Sequence, residues 1–362
     1  MAFEDENSAL ILLASADRYS ALHQWLQELL DIQQENFDIR LVNLSGEFNL
    51  DISDFTAKNN FIAESFNHLS SLARLWEQLN PHAKEWWQLL DIASKQSIEL
   101  PQLPGVEDLT RLIFLSEILD RAPESTLIIV ILPAPLHALK LLDMAQQGPA
   151  LIDQLLEPLL NWWDTTRQTL STVEKLLRLR LPSSQQLRLN EIWKGRLHLL
   201  QQTISDRNNH HFTLILDGKN YKPEQLIYRL SVAGMHRAIP HLLIVEDACN
   251  TSNIEIENEC RNGPTTFNKS IIVPESEQET KAMKDKNKSL SIEEWNPENL
   301  CMKIFLPGVK KDDMNIQQID LTINLILNGY CRKIDLPTEL ESKQCKRAQM
   351  TESWLNLWFG DS

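Results

Sequence analysis

The chain has 362 residues, 43% of them hydrophobic and 23% charged, which is enough apolar material for a sizeable core and a length that suits two domains. Its formal net charge of −15 excludes nucleic acid and anionic membrane surfaces as partners, since both need a basic face, and favours a basic partner if any.

The opening MAFEDENSAL is acidic where a secretory or transit leader would be basic. No apolar run approaches the roughly 18 to 20 residues that span a bilayer, so a cytoplasmic protein without stable membrane insertion is expected. Ala9 to Ala14 (ALILLA) reads as a short buried strand closed by Ser15-Ala16-Asp17. An amphipathic helix follows, with Leu22, Trp25, Leu26, Leu29 and Leu30 on one face, and then a strand over Asp38 to Asn43. Thr56 to Leu90 reads as mostly helical, with a break at Pro81, and carries the pair Trp86-Trp87. A Pro/Gly-rich connection, Glu99 to Asp108, leads into a helix with Val106, Leu109, Leu112, Ile113 and Leu119 inward.

The stretch that organises the chain is Thr126 to Leu142, TLIIVILPAPLHALKLL. Its β-branched run Ile128 to Ile131 reads as a strand buried on both faces, hence an interior strand of a parallel sheet. Open α/β sheets place their ligand at the carboxyl ends of such strands. Here that loop is Leu132-Pro133-Ala134-Pro135-Leu136, with no acid, hydroxyl or glycine in it. Two long helical segments follow, Ala150 to about Leu179, with Leu155, Leu159 and Trp162-Trp163 in its apolar stripe, and Ser183 to about Ile204. Phe212 to Leu216 and Leu242 to Val245 are further strands, separated by a helix from Pro223 to Val232 that Gly234 is expected to stop. Strands alternating with helices imply an α/β domain with a parallel sheet over residues 1–250, carrying helical insertions at about 56–100 and 145–205.

Residues 251–291 are polar and read as a flexible linker. Residues 292–362 change to short strands, giving a small antiparallel β-sandwich domain whose lone core would be marginal, so that docking is expected. The cysteines, Cys249, Cys260, Cys301, Cys331 and Cys345, are odd in number and lack C-x-x-C spacing. Free thiols are expected rather than zinc or disulfides, and no metal site.

Two resemblances emerge from these residues. Pro104 to Leu109 (PGVEDL), Ile131 to Leu142 (ILPAPLHALKLL) and Ala14-Ser15-Ala16-Asp17 resemble, in order and spacing, landmarks of the arsenite-pump and tail-anchored-protein targeting ATPases, a family of dimeric P-loop ATPases. Leu306 to Ile316 (LPGVKKDDMNI) resembles the signature of the small heat-shock, or α-crystallin, fold, and Arg332 to Pro337 (RKIDLP) fits the same fold. Ala348 and Leu355 suit a further motif of that fold, with Ser353 where the motif has glycine. An ATPase-like domain followed by such a module is similar to a cyanobacterial and plastid branch of the targeting ATPases.

The resemblance implies a P-loop-NTPase-like fold, yet the chemistry departs from it. A P-loop needs clustered glycines, a Lys and a Ser/Thr to hold phosphate and Mg²⁺. The ten glycines here are dispersed, and Gly218-Lys219 has no upstream partner. Only sixteen residues precede Asp17, too few for a strand, a Gly-rich loop and a helix. Against the family pattern Ile131 stands for the Asp of the second switch, Leu136 for its Gly, and Glu246 for the adenine-binding Asn. With Ser15, Asp17 and His137 these form a vestigial nucleotide site, with no catalytic residue expected and no cofactor. Asp17 reads as a strand-end cap rather than a water-positioning acid, and His137 as a packing or capping residue rather than a base. Glu107/Asp108 read as a dipole-favoured first-turn pair rather than an acid–base couple. His210-His211 carries no motif.

Trp86, Trp87, Leu155, Leu159, Trp162 and Trp163 are the candidate hydrophobic client surface, because helical insertions serve that role in the resembled targeting ATPases; the alternative is the core of a helical subdomain. The expected function is that of a non-hydrolysing, chaperone-like or regulatory relative that binds a hydrophobic protein segment or pairs with an active ATPase paralogue, as a homo- or heterodimer. The alternatives are an ATPase binding ATP and Mg²⁺ with a residue supplied in trans, and a structural assembly subunit.

Overall fold

The computed structural model describes residues 10–33, 38–46, 61–71, 74, 106–123, 126–150, 191–247, 250–269 and 291–361. Seven strands form one sheet: β1 (Leu10–Ala16), β2 (Asp38–Asn43), β3 (Phe61–Ser65), β4 (Thr126–Ile131), β5 (His210–Asp217), β6 (Leu242–Glu246) and β7 (Thr266–Asn268). Their order is β3-β2-β4-β1-β5-β6-β7, and every pairing is parallel. β4 is buried throughout, as its unbroken apolar run requires. Ile128 and Val130 face a core shared with helices α2 (Val106–Arg121), α3 (Pro135–Gln147), α4 (Glu191–Ser205), α5 (Pro223–Met235) and α6 (Asn250–Cys260). Leu127, Ile129 and Ile131 face the opposite core, closed by Leu22, Trp25, Leu26, Leu29 and Leu30 of α1 (Tyr19–Gln33). Each fully buried Leu or Ile here contributes roughly 1.5–3 kcal/mol.

The chain leaves β1 for α1 on one face and leaves the neighbouring β4 for α3 on the other. This divergence makes the carboxyl ends of β1 and β4 the topological switch point of the sheet, where α/β folds hold ligands.

Three expectations are corrected. Phe61–Ser65, read as part of a helix, is an edge strand paired with β2. It is short and only half-buried, so the helical spacing of the residues after it masked it. Gly234 does not stop α5: the helix runs to Met235, and the His236 N–H bonds back to the Val232 carbonyl. The polar stretch after residue 250 is not all linker, since α6 anchors through Ile256 and Cys260 and β7 extends the sheet. Residues 270–290, and the insertion residues 75–105 and 151–190, lie outside the described residues.

A separate antiparallel unit spans β8 (Glu293–Asn296), β9 (Cys301–Phe305), β10 (Met314–Ile319), β11 (Thr322–Leu327), β12 (Tyr330–Asp335), β13 (Lys343–Thr351) and β14 (Trp354–Asp361). They form sheets ordered β10-β11-β12 and β13-β14-β9-β8 around a core that includes Ile304, Ile323, Leu325, Ile334 and Leu357. This module docks on α5 and α6. Phe305 enters the core of the α/β domain, while Met235 of α5 enters the core of the module. Gly234 lies at that contact, where a Cβ would sit 3.1 Å from Leu306 Cδ2 and crowd it by a few tenths of an ångström.

Glu259 of α6 receives the Gly308 N–H at 2.8 Å and the Ser353 hydroxyl at 2.6 Å. Ser353 follows Glu352 in the two-residue turn between β13 and β14, and both have positive φ, at 65° and 49°. A hairpin turn of that kind favours Asn-Gly, so Glu-Ser is held there by contacts from outside the hairpin. Besides Ser353–Glu259, Asn262 donates to Glu352 and the Trp354 ring N–H donates to the Asn262 carbonyl.

Candidate functional site

The switch point is closed by hydrogen bonds of the chain itself. Ser15, fully buried at the end of β1, donates its hydroxyl to the Pro133 carbonyl at 2.6 Å, tying the loop after β4 onto β1. The Leu132 N–H bonds to the Ala14 carbonyl, and the Leu44 N–H to the Ile131 carbonyl, each at 2.8 Å. The Ile131 side chain is wholly buried in the core under α1, and Leu136 stands 43% exposed in the first turn of α3.

The adjoining ends of β1, β5 and β6 carry a network of charge. One Asp17 oxygen lies 2.6 Å from Arg229 Nη1 of α5, and the other accepts the Asp217 N–H at 3.1 Å. Asp17 therefore clamps the end of β1 to β5. Arg229 also donates to the Tyr221 hydroxyl and stacks 4.2 Å from that ring. Arg18 reaches Asp217 at 3.4 Å, Glu246 at 3.0 Å and Asp247 at 3.4 Å. Burial is the largest single influence on Arg18 and works against its charge, but those three carboxylates together outweigh it and raise its pKa. Asp217, 2% exposed, accepts in addition from the Lys219 backbone and the Asn220 amide. Four carboxylates thus meet two paired guanidiniums at the strand ends, an edge that repels a polyanion.

A second cluster sits beside β2 and β4. His137 Nε2 lies 2.6 Å from Asp108 at the start of α2, and Arg111 Nη1 lies 3.1 Å from the same oxygen. Burial alone would raise the Asp108 carboxyl, yet the His137 hydrogen bond and the charges of His137, Lys140 and Arg111 hold it below its ordinary value. An ionised carboxylate can only accept, so His137 Nε2 carries the proton. Arg111 also holds Glu107 at 2.6 Å and the Leu44 carbonyl at 3.1 Å. The cluster knits two helix starts to the sheet and leaves neither His137 nor Asp108 unpartnered.

The residues singled out from sequence therefore gather at one edge: Ser15, Asp17, Ile131 and Glu246 at strand ends, Leu136 and His137 in the first turn of α3. Trp86, Trp87, Leu155, Leu159, Trp162 and Trp163 lie outside the described residues. Arg18 and Arg229, which complete the charge network, escaped the sequence reading. Their only signal was a basic residue beside an acid at a strand end, which is common on any surface. Among the described residues no group of three or more His, Cys, Asp or Glu is arranged to hold a metal ion. Cys260, Cys301, Cys331 and Cys345 are free thiols, and burial pushes Cys260 up to about 12. No described helix is long and apolar enough to cross a membrane.

The residues His210, His211 and His241 cluster at the opposite, amino edge of the sheet, His211 stacked on His241 and His210 edge-on to it, with centroids 5.1 Å apart in each contact. His241 Nδ1 accepts the Phe212 N–H at 3.1 Å, leaving Nε2 to donate to the Arg207 carbonyl.

Among known proteins, residues 298–359 match a family described as the HSP20-like domain found in ArsA. The match falls on the antiparallel module, identifies its fold as HSP20-like, and supports a relation of the chain to the ArsA ATPases. No curated protein matches the chain.

Proposed function

We propose that this chain is a non-hydrolysing relative of the arsenite-pump and targeting ATPases that works by binding a protein partner. One observation carries the reading: at the switch point, where a nucleotide would lie, the chain's own charged groups are already paired with one another, although Arg18 Nε itself makes no hydrogen bond. Ser15 holds the Pro133 carbonyl, Asp17 holds Arg229, and Arg18 holds Asp217 and Glu246. In-line phosphoryl transfer depends on positioned positive charge and backbone N–H groups, and this edge offers an excess of carboxylates instead. The HSP20-like module, docked through Glu259, Leu306 and Phe305, adds a rigid body to the α/β domain.

The binding surface in this reading is formed by the apolar residues Trp86, Trp87, Leu155, Leu159, Trp162 and Trp163 expected from the sequence, and its occupant is a hydrophobic segment. A peptide of about 20 apolar residues, the length of a membrane tail, should co-elute with the purified chain on gel filtration equally well with and without Mg-ATP. Strict dependence of the complex on Mg-ATP would overturn the reading in favour of an ATPase completed in trans. Failure to take up the peptide, together with stoichiometric recovery of a protein partner, would favour an assembly subunit.

A further inference from the structure

A cleft of about 370 Å³ opens at the amino edge of the sheet, on the seam between the α/β domain and the HSP20-like module. It is separated from the switch point by the length of β5, roughly 25 Å. Its volume lies in the range of small-molecule sites. The walls come from both units: Gln146 of α3, Arg207 after α4, Arg237 after α5, Glu293 of β8 and Arg332 of β12.

Charge in the cleft is out of balance in the sense opposite to the chain as a whole. Three guanidiniums line it, and Glu293 is the carboxylate set among them. Glu293 ion-pairs with Arg332 and lies 3.4 Å from Arg237. Burial alone would raise the Glu293 carboxyl, but the charges of Arg332 and Arg237 and the Arg332 hydrogen bond hold it below its usual range. Asp206 lines the rim, is exposed, and accepts from the backbone and side chain of Asn208.

Arg207 has no carboxylate within ion-pairing distance among the described residues. It donates only to carbonyls, those of Ile239 at 2.5 Å and Pro264 at 3.0 Å, and its Nε has no partner. Burial without a counter-ion lowers its pKa to about 10, still far above neutrality. Arg332 is only 2% exposed and its Nε likewise lacks a partner, while its Nη1 donates to the Gly234 carbonyl at 2.5 Å. A guanidinium offers five N–H donors, so both retain unused capacity. A recessed cation without an anion is costly, and an anion that enters removes that cost.

We propose that this cleft binds a small organic phosphate, held by Arg207 and Arg237 from the α/β domain and Arg332 from the module. Three guanidiniums against Glu293 inside and Asp206 at the rim leave the lining net positive by one charge, with Arg207 the cation that lacks a carboxylate, and Arg is the side chain best suited to phosphate oxygens. Because donors come from both units, the ligand ties the module to the sheet. The site does not depend on the reading of the switch point, and a protein that hydrolysed ATP could carry it equally.

The full chain is titrated calorimetrically with glucose 6-phosphate, inorganic phosphate and glucose at fixed ionic strength, and its melting temperature followed with each. The expected result is saturable binding of both phosphates at one site with a raised melting temperature, and none with glucose. Tighter binding of the ester assigns its sugar body to the cleft, and equal binding assigns recognition to the phosphate group alone. Arg207→Met should weaken binding at least about tenfold, the loss of a charge-assisted hydrogen bond. Arg237→Gln, at the more open wall, should weaken it in the same direction and guards against a folding defect in the first variant. No saturable binding of either phosphate to the wild-type chain, or binding undiminished in both variants, overturns the proposal.

Discussion

The Asp17 carboxylate at the end of β1 and the Arg229 guanidinium from the middle of α5 meet at 2.6 Å, both largely shielded from solvent. This pair joins two elements separated by more than two hundred residues, and Asp17 also receives the Asp217 N–H. Removing one partner leaves the other recessed and uncompensated. Asp17→Asn should therefore lower the unfolding free energy by about 3 kcal/mol. In a double-mutant cycle with Arg229→Met, measured by urea denaturation, the two losses should fall well short of additivity. Simple additivity would show that the pair is not energetically coupled.

The turn at Glu352-Ser353 sets two effects against each other. Glycine at 353 would relieve a positive φ, worth about 1 kcal/mol, but would remove the hydroxyl bonded to Glu259, worth about 1.5–3 kcal/mol for a charged acceptor. The hydrogen bond is the larger, so stability should rank wild type above Ser353→Gly, and Ser353→Gly above Ser353→Ala, which keeps the strain and loses the bond. Chemical denaturation of the three proteins checks the order, and a more stable Ser353→Gly would contradict it.

Gly308 is at φ +73°, where a Cβ would sit 2.2 Å from Ile227 Cγ2 and 2.8 Å from the Ile227 carbonyl oxygen. Backbone cannot yield as a flexible side chain does. Gly308→Ala should cost about 3 kcal/mol through overpacking and backbone strain together, and should expose the seam to limited proteolysis. Unchanged stability and protease resistance would mean that the module does not press on α5 there.

Acid should weaken the fold through the amino-edge histidines. Burial comes first among the causes that lower His210 and His211 to about 4, with His241 also well below its ordinary value. In the unfolded chain such groups take up protons near pH 6.5. Between about pH 6.5 and 4 the unfolded state therefore binds more protons, and stability falls as pH falls, by about 1.4 kcal/mol per pH unit for each histidine. His211→Phe should flatten the slope of unfolding free energy between pH 6 and 5. An unchanged slope would remove His211 from the acid response.

Much of this architecture is legible in the sequence because buried parallel strands leave little choice of residue. TLIIVI and LLIV could not face water on either side, and they sit where their composition requires. β3 and β7 were not legible because an edge strand is half-solvated and its residues are ordinary. α6 was hidden by a polar sequence that anchors through two buried residues, Ile256 and Cys260. The position of the switch-point loop followed from the run preceding it. The groups that fill the edge did not, since the partnerships of Asp17 with Arg229 and of Arg18 with Glu246 span 212 and 228 residues. Gly234 misled for a related reason: it faces Leu306 of the other unit, a contact invisible within the helix.

The most direct test of the central claim is a calorimetric titration of the purified full chain with Mg-ATP, with Asp17→Asn as a companion. The expected result is no saturable binding at the switch point, with any binding through the phosphates at the amino-edge cleft weakened at least about tenfold by Arg207→Met. Saturable Mg-ATP binding that survives Arg207→Met and is lost on substitution at the ends of β1 or β4 would contradict it.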